Sequence, residues 1–293
     1  MTIRVIPRLD IKGPNLVKGI HLEGLRVLGK PEWFARAYYE QGADELLYMD
    51  VVASLYQRNN LLDIVARTAR DIFIPLTIGG GLRTLEDIRT VLRAGADKVS
   101  LNTAAIRRPE FIREAAHHFG SSTIVVSIEA IRQPDASYEA FTDNGRERTG
   151  IDAIEWAKRA AELGAGELLV TSVDHEGTGT GCDLELIQRV AKAVSIPVIA
   201  CGGAGRAEDV ASAVVQGGAD AVCVASMLHY DLLQRSQKLW GDFSSEGNTE
   251  YLKRWQRGFS KVQPTSLPQI KDHLARAGIA CRLSAAEEAS LHV

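Results

Sequence analysis

Asp10 and Glu129 each close an apolar, strand-like run, and two carboxyl groups facing each other across a pocket can divide the removal and delivery of a proton. Asp10 ends Ile3-Arg4-Val5-Ile6-Pro7-Arg8-Leu9-Asp10, just ahead of Lys12 and a glycine-bearing loop, and Glu129 follows the run 123–128. Glycine turns offer a second chemistry. Gly79-Gly80-Gly81 and Gly202-Gly203 each stand between an apolar run and a helical-period segment. Without side chains, their backbone N–H groups can approach an anion, and a following helix N-terminus adds donors and a favourable dipole. Asn102-Thr103 and Ala225-Ser226 end the next runs and are suited to complete two phosphate sites, so a small molecule with a phosphate at each end is expected. A third polar set, Arg4, Glu45, Lys98 and Glu167, falls near the starts of four runs. Strand alternation could turn all four inward, where charges persist only when paired. They form either a structural salt-bridge ring or a gate on a path through the interior.

These residues need a scaffold that brings strand ends together. Strand candidates at 3–9, 45–49, 74–78, 98–101, 123–128, 167–171, 197–201 and 221–225 alternate with amphipathic stretches at 32–40, 85–93, 153–163, 184–194 and 208–216. That alternation implies a parallel sheet with helices outside it, open or closed. An internal repeat argues for closure. Ile74-Pro75-Leu76-Thr77-Ile78-Gly79-Gly80-Gly81 aligns with Ile196-Pro197-Val198-Ile199-Ala200-Cys201-Gly202-Gly203, and Gly95-Ala96-Asp97-Lys98 with Gly218-Ala219-Asp220-Ala221. Gly42-Ala43-Asp44-Glu45 likewise matches Gly164-Ala165-Gly166-Glu167. A four-βα unit used twice gives an α/β (βα)8 TIM barrel with a two-fold half-barrel repeat. In that fold chemistry sits at the C-terminal ends of the strands, which adds Asp50 and Thr171 to the rim. Residues 1–293 are expected to form one barrel domain. A polar insert at about 232–266, with a helical turn near 249–257, should precede a last helix at 269–277.

The bulk composition sets limits on partners. Hydrophobic residues make up 45% and charged residues 24% of 293, ordinary values for a globular protein, and the net charge of −3 implies neither nucleic acid nor an anionic membrane as partner. The four cysteines lack C-x-x-C spacing, and Cys201 and Cys223 read as buried thiols. No His/Cys/carboxylate cluster has metal spacing, so neither metal nor organic cofactor is expected. His229 reads as packing or a loop hydrogen bond. A strand starting at Ile3 leaves no room for a signal peptide, and a cytoplasmic location is expected.

At these residues the chain resembles the cyclase subunits of imidazole glycerol phosphate synthase, from Arg4 to about Tyr230 and again over 270–283. The resemblance rests on Leu9-Asp10-Ile11-Lys12, Leu16-Val17-Lys18-Gly19, Gly79-Gly80-Gly81, Asp97-Lys98-Val99-Ser100-Leu101-Asn102-Thr103, Gly164-Ala165-Gly166-Glu167, Gly177-Thr178 and Gly202-Gly203-Ala204-Gly205. It implies a separate glutaminase subunit that releases ammonia, which crosses the barrel and attacks a bis-phosphorylated formimino-carboxamide ribonucleotide. Asp10 and Glu129 fall on the acid/base pair, and Lys18 on a substrate contact from a mobile loop after strand 1. Gly81, Asn102 and Thr103 fall on one phosphate site; Gly177, Gly202, Gly203, Ala225 and Ser226 fall on the other. Asp50, Thr171 and Glu176 fall on further substrate contacts. Arg4, Glu45, Lys98 and Glu167 match the gate facing the glutaminase. Four residues depart from the family pattern: Glu129 and Glu176 replace aspartates, Arg8 a cysteine and Asn144 a serine. A paralogous synthase that channels ammonia to another phosphorylated acceptor, such as a nucleotide sugar in surface-glycan synthesis, is therefore the alternative. A barrel that only activates a glutaminase is a third.

Overall fold

The computed structural model describes residues 2–52, 60–235 and 261–283. Its elements run in two similar series. In the first, β1 (Arg4–Lys12), β2 (Asn15–Ile20) and β3 (Glu23–Gly29) lead to α1 (Pro31–Glu40). β4 (Leu46–Asp50) then leads to α2 (Asn60–Asp71), β5 (Leu76–Gly79) to α3 (Leu85–Arg93), and β6 (Lys98–Leu101) to α4 (Thr103–Arg107) and α5 (Glu110–Phe119). In the second, β7 (Ile124–Arg132), β8 (Tyr138–Thr142) and β9 (Glu147–Asp152) lead to α6 (Ala153–Glu162). β10 (Glu167–Ser172) leads to α7 (Leu184–Ala193), β11 (Val198–Cys201) to α8 (Ala207–Val215), and β12 (Ala221–Val224) to α9 (Ser226–Arg235), before α10 (Leu267–Arg276).

Parallel pairing runs β10-β11-β12-β1-β4-β5-β6-β7, and β7 pairs with β10 to close the circle. The chain is thus a closed (βα)8 barrel. Side-chain alternation separates two apolar regions. Outward residues such as Val5, Leu9, Tyr48, Ile78 and Val126 pack under the helices. Inward ones, among them Ile6, Leu47, Val125, Leu169 and Ile199, fill the barrel itself.

The repeat is visible in hydrogen bonds. Asp97 Oδ2 accepts from Leu76 N at 2.9 Å, and Asp220 Oδ2 accepts from Val198 N at 2.9 Å. Asp44 Oδ2 accepts from Val5 N at 2.8 Å. Gly166 holds the fourth such place, and no side chain fits there, because a Cβ would lie 2.2 Å from Ser121 O. The glycine turns also superpose in kind. Gly80 has φ +100° and a Cβ there would lie 2.3 Å from Asp50 O; Gly202 has φ +94° and would meet Ser172 O at 2.7 Å. Gly80→Ala combines the left-handed backbone cost with a clash against main chain that cannot move aside. It is expected to destabilise the barrel by roughly 3 kcal/mol. Urea unfolding tests this, and a variant within about 0.5 kcal/mol of the parent would contradict it.

The structure departs from the sequence reading in three places. β1 and β7 run three to four residues past their expected ends because each leaves the rim as an antiparallel hairpin: Asp10 pairs with Val17, and Glu129 with Phe141. The segment after β1 is therefore a β2–β3 hairpin. The expected insert starts too early, since the chain stays helical through Arg235 with Leu232 and Leu233 buried. Its far end is also anchored: Thr265 N donates to Met227 O at 3.2 Å, and Ser266 caps α10, which begins two residues earlier than expected. The helical turn expected near 249–257 lies outside the described residues. Among the described residues, no helix is long and apolar enough to cross a membrane.

Candidate active site at the barrel mouth

Alternation along β1 sends Arg4, Ile6, Arg8 and Asp10 into the barrel at rising height. Arg8 and Asp10 are 3% and 2% exposed, so both charges need partners. Arg8 Nε donates to Asp10 Oδ1 at 2.8 Å, and its Nη1 donates to Thr171 Oγ1 at 3.4 Å and Cys201 Sγ at 3.5 Å. Lys18, on β2, lies 4.0 Å from the other Asp10 oxygen and is ion-paired with Glu176. Burial pushes the Asp10 carboxyl upward, but Arg8 and Lys18 outweigh it and hold the group below its ordinary range. Cys201 is lowered by the thiol of Cys223 and by Arg8.

The β2–β3 hairpin closes over this cluster. Its turn residues His21 and Leu22 have φ of 52° and 61°, a strained conformation for non-glycine residues. Contacts with the loop after β10 and with the second hairpin hold it. Leu22 N donates to Glu176 Oε2 at 3.0 Å, His21 Nδ1 lies 2.9 Å from Val173 O, and Asn144 Nδ2 donates to Leu22 O at 3.2 Å. Gly177 packs against the same hairpin, where a Cβ would come within 2.7 Å of Gly19 O.

Glu129 stands in a different environment. It is the β7 neighbour of Thr171 in the strand register and is buried, with Gly145 N donating to its Oε2 at 2.8 Å. Burial raises its carboxyl to about 7, against the opposing effects of Gly145 N–H and Arg8. It faces a cavity of about 480 Å³ that Asp50, Gly80, Gly81, Asn102 and Thr103 also line. Ser100 Oγ and Asn102 Oδ1, on the same wall, are buried without a hydrogen-bond partner among the described residues. Such atoms cost stability until a ligand satisfies them.

Across the mouth, Gly202 and Gly203 precede α8, while Ala225 directly precedes the buried Ser226 that opens α9. Thr103 opens α4 in the corresponding way in the first half. The sequence-derived mouth residues thus divide into three groups: Asp10, Lys18, Thr171 and Glu176 around Arg8; Asp50, Gly81, Asn102, Thr103 and Glu129 at the cavity; and the second-half glycine turn. His229 lies in α9, buried, with Nδ1 2.6 Å from Tyr38 Oη, and burial lowers its imidazole to about 3. At the opposite end of the barrel, Arg4 Nη1 contacts Glu45 Oε1 at 2.5 Å and Glu167 Oε1 at 2.9 Å, and Lys98 Nζ contacts the same two carboxylates at 3.0 and 3.2 Å.

Residues 4–234 match the family described as "Histidine biosynthesis protein". The "Imidazole glycerol phosphate synthase subunit HisF" of Legionella pneumophila is 58% identical over 207 residues, covering 71% of this chain and 98% of that one. The chain belongs to the HisF family. HisF subunits of Alkaliphilus metalliredigens and Streptomyces griseus are 48% and 52% identical over 231 and 230 residues, covering 79% and 78% of this chain and 92% and 91% of theirs. Within this HisF chain, Arg8, Glu129, Asn144 and Glu176 all lie at the mouth, Asn144 lining the same cavity as Glu129. Arg8 is the site residue whose part the sequence reading missed. The available signal was its place between Arg4 and Asp10 in the inward alternation of β1.

Proposed function

We propose that this HisF chain is the cyclase of imidazole glycerol phosphate synthase: it joins ammonia to the bis-phosphorylated formimino-carboxamide ribonucleotide and releases imidazole glycerol phosphate, aminoimidazole carboxamide ribotide and water. The observation that carries the proposal is the pair of mouth carboxyl groups with opposed environments, Asp10 held ionised by cations and Glu129 raised to about 7 by burial. Closing the new ring requires protons to leave the incoming nitrogen, and cleaving the amidine requires a proton to reach the departing amine. Two carboxyl groups of unlike acidity suit that exchange. Gly81, Asn102 and Thr103 bind one phosphate, and Gly177, Gly202, Gly203, Ala225 and Ser226 the other, through backbone donors. Asp50, Lys18, Thr171 and Glu176 contact the body of the substrate. The HisF relatives named above give no support to a glycan-amidating alternative.

Ammonia is supplied by a glutaminase subunit docked below the ring of Arg4, Glu45, Lys98 and Glu167, and the pair works in the cytoplasm. Purified protein with an ammonium salt is expected to consume the bis-phosphate and form both phosphorylated products; no turnover with either ammonia or a glutaminase partner would sink the proposal. Lys98→Met leaves Glu45 and Glu167 sharing only Arg4. It should lower glutamine-driven turnover roughly tenfold or more while ammonium-driven turnover stays within about twofold, because the mouth is untouched. Equal loss with both nitrogen sources would count against a gate.

A further inference from the structure

A fully buried arginine inside a barrel is costly to keep, and its contacts show what it does there. Arg8 reaches three strands at one height: Asp10 on its own β1, Thr171 on β10 and Cys201 on β11, at 2.8, 3.4 and 3.5 Å. Asp10 is the one carboxylate ion-paired with Arg8 among the described residues, above the apolar side chains of Ile6, Leu47, Val125, Leu169 and Ile199. The fork toward Asp10 and Thr171 therefore fixes the guanidinium just under the mouth. We infer that Arg8 is a positioning residue that holds Asp10 ionised and aimed into the mouth of the resting site, so that the proton available there is carried by Glu129. The inference rests on the cyclase reading of the same site but makes a claim of its own about which group titrates.

The surroundings of both carboxyl groups bear on this. Asp10 faces Arg8 from β1, Lys18 from β2, His229 from α9 and Cys223 from β12. Of these, the imidazole is buried and neutral, and Cys223 is held protonated by burial. Lys18 shares its charge with Glu176, whereas the Arg8 guanidinium has Asp10 as its one carboxylate at hydrogen-bonding distance among the described residues. Glu129 faces Arg8, Asn102, the Gly145 N–H and Asp143. Among the described residues no cationic side chain hydrogen-bonds Glu129, and its burial lets it carry a proton near neutral pH.

The test is carboxyl 13C NMR on the full chain labelled at Asp and Glu, with the two signals assigned by their loss in Asp10→Asn and Glu129→Gln. In the unaltered protein, Asp10 is expected to stay ionised from pH 5 to 9 while Glu129 titrates within that window. An Asp10 that titrates in this range would overturn the inference without any Arg8 variant being needed. Arg8→Met should raise the Asp10 midpoint by at least about one pH unit, a tenfold change in its protonation equilibrium, and Arg8→Lys should largely restore it. An unmoved Asp10 in a folded Arg8→Met protein would reduce Arg8 to packing. These signals are read without turnover. Titrations as expected in a protein that makes no product would sink the cyclase reading and leave Arg8's role standing; turnover with an Asp10 indifferent to Arg8 would do the reverse.

Discussion

Asp10→Asn is expected to lower ammonium-driven turnover by roughly a thousandfold, the middle of the range for losing a general acid–base group. Asparagine keeps the shape and removes the anion, so the Arg8 guanidinium is left buried with Thr171 and Cys201 as its remaining hydrogen-bond partners among the described residues. Breaking a buried pair from one side costs about 3–5 kcal/mol. Stability should therefore fall along with activity, and turnover must be measured well below the unfolding midpoint. The pH dependence has a definite sign. Because the folded protein holds Asp10 below its ordinary value, that carboxylate contributes stability above about pH 4, and the contribution is lost as pH falls through the folded value. The parent should lose its advantage over Asp10→Asn in acid. A variant with near-parental kcat at every pH would remove Asp10 from the chemistry.

Glu129→Gln is the second large effect, and it moves activity and stability in opposite directions. Turnover should drop by about a hundredfold or more, since glutamine neither gives nor takes a proton. Stability should rise above pH 7. A glutamate raised from its ordinary value near 4.3 to about 7 keeps a proton in the folded chain that the unfolded chain has released. The cost of ionising it in place grows as pH climbs between those values and is then constant, at roughly 4 kcal/mol. Glutamine escapes that cost and still offers Gly145 N–H an acceptor. Denaturant unfolding at pH 4 and pH 8 checks this: the variant should match the parent at the lower pH and exceed it at the higher. Equal stability at both would mean that the carboxyl group is not held up by burial. A residue kept at this expense is one whose value lies in the reaction.

The parts of this arrangement that sequence could show are those set by periodicity. α3, α6, α7 and α8 begin and end within one residue of the amphipathic stretches, because one apolar face per helix must meet the sheet. The half-barrel repeat was legible because Asp97 and Asp220 bond the same backbone position in each half. The hairpins were harder. The β2–β3 turn uses His21 and Leu22 at positive φ, where glycine or asparagine would have announced it. The β8–β9 turn does carry such a signal in Asp143-Asn144-Gly145. Arg8 was hidden for another reason. Alternation says that it points inward, but only the closed barrel brings Thr171 and Cys201, 163 and 193 residues away, to its guanidinium.

At the other end of the barrel, the four charges at the base form a cycle, with each cation touching both carboxylates and each carboxylate both cations. A cycle of four links has a redundancy that a simple ion pair lacks. Swing any one side chain aside and the remaining three are still joined in a line, so none of those left behind is stranded without an opposite charge. Lys98 can leave while Arg4 holds both carboxylates, and Arg4 can leave while Lys98 does. Removing any one of the four side chains thus costs two links rather than the collapse of the set.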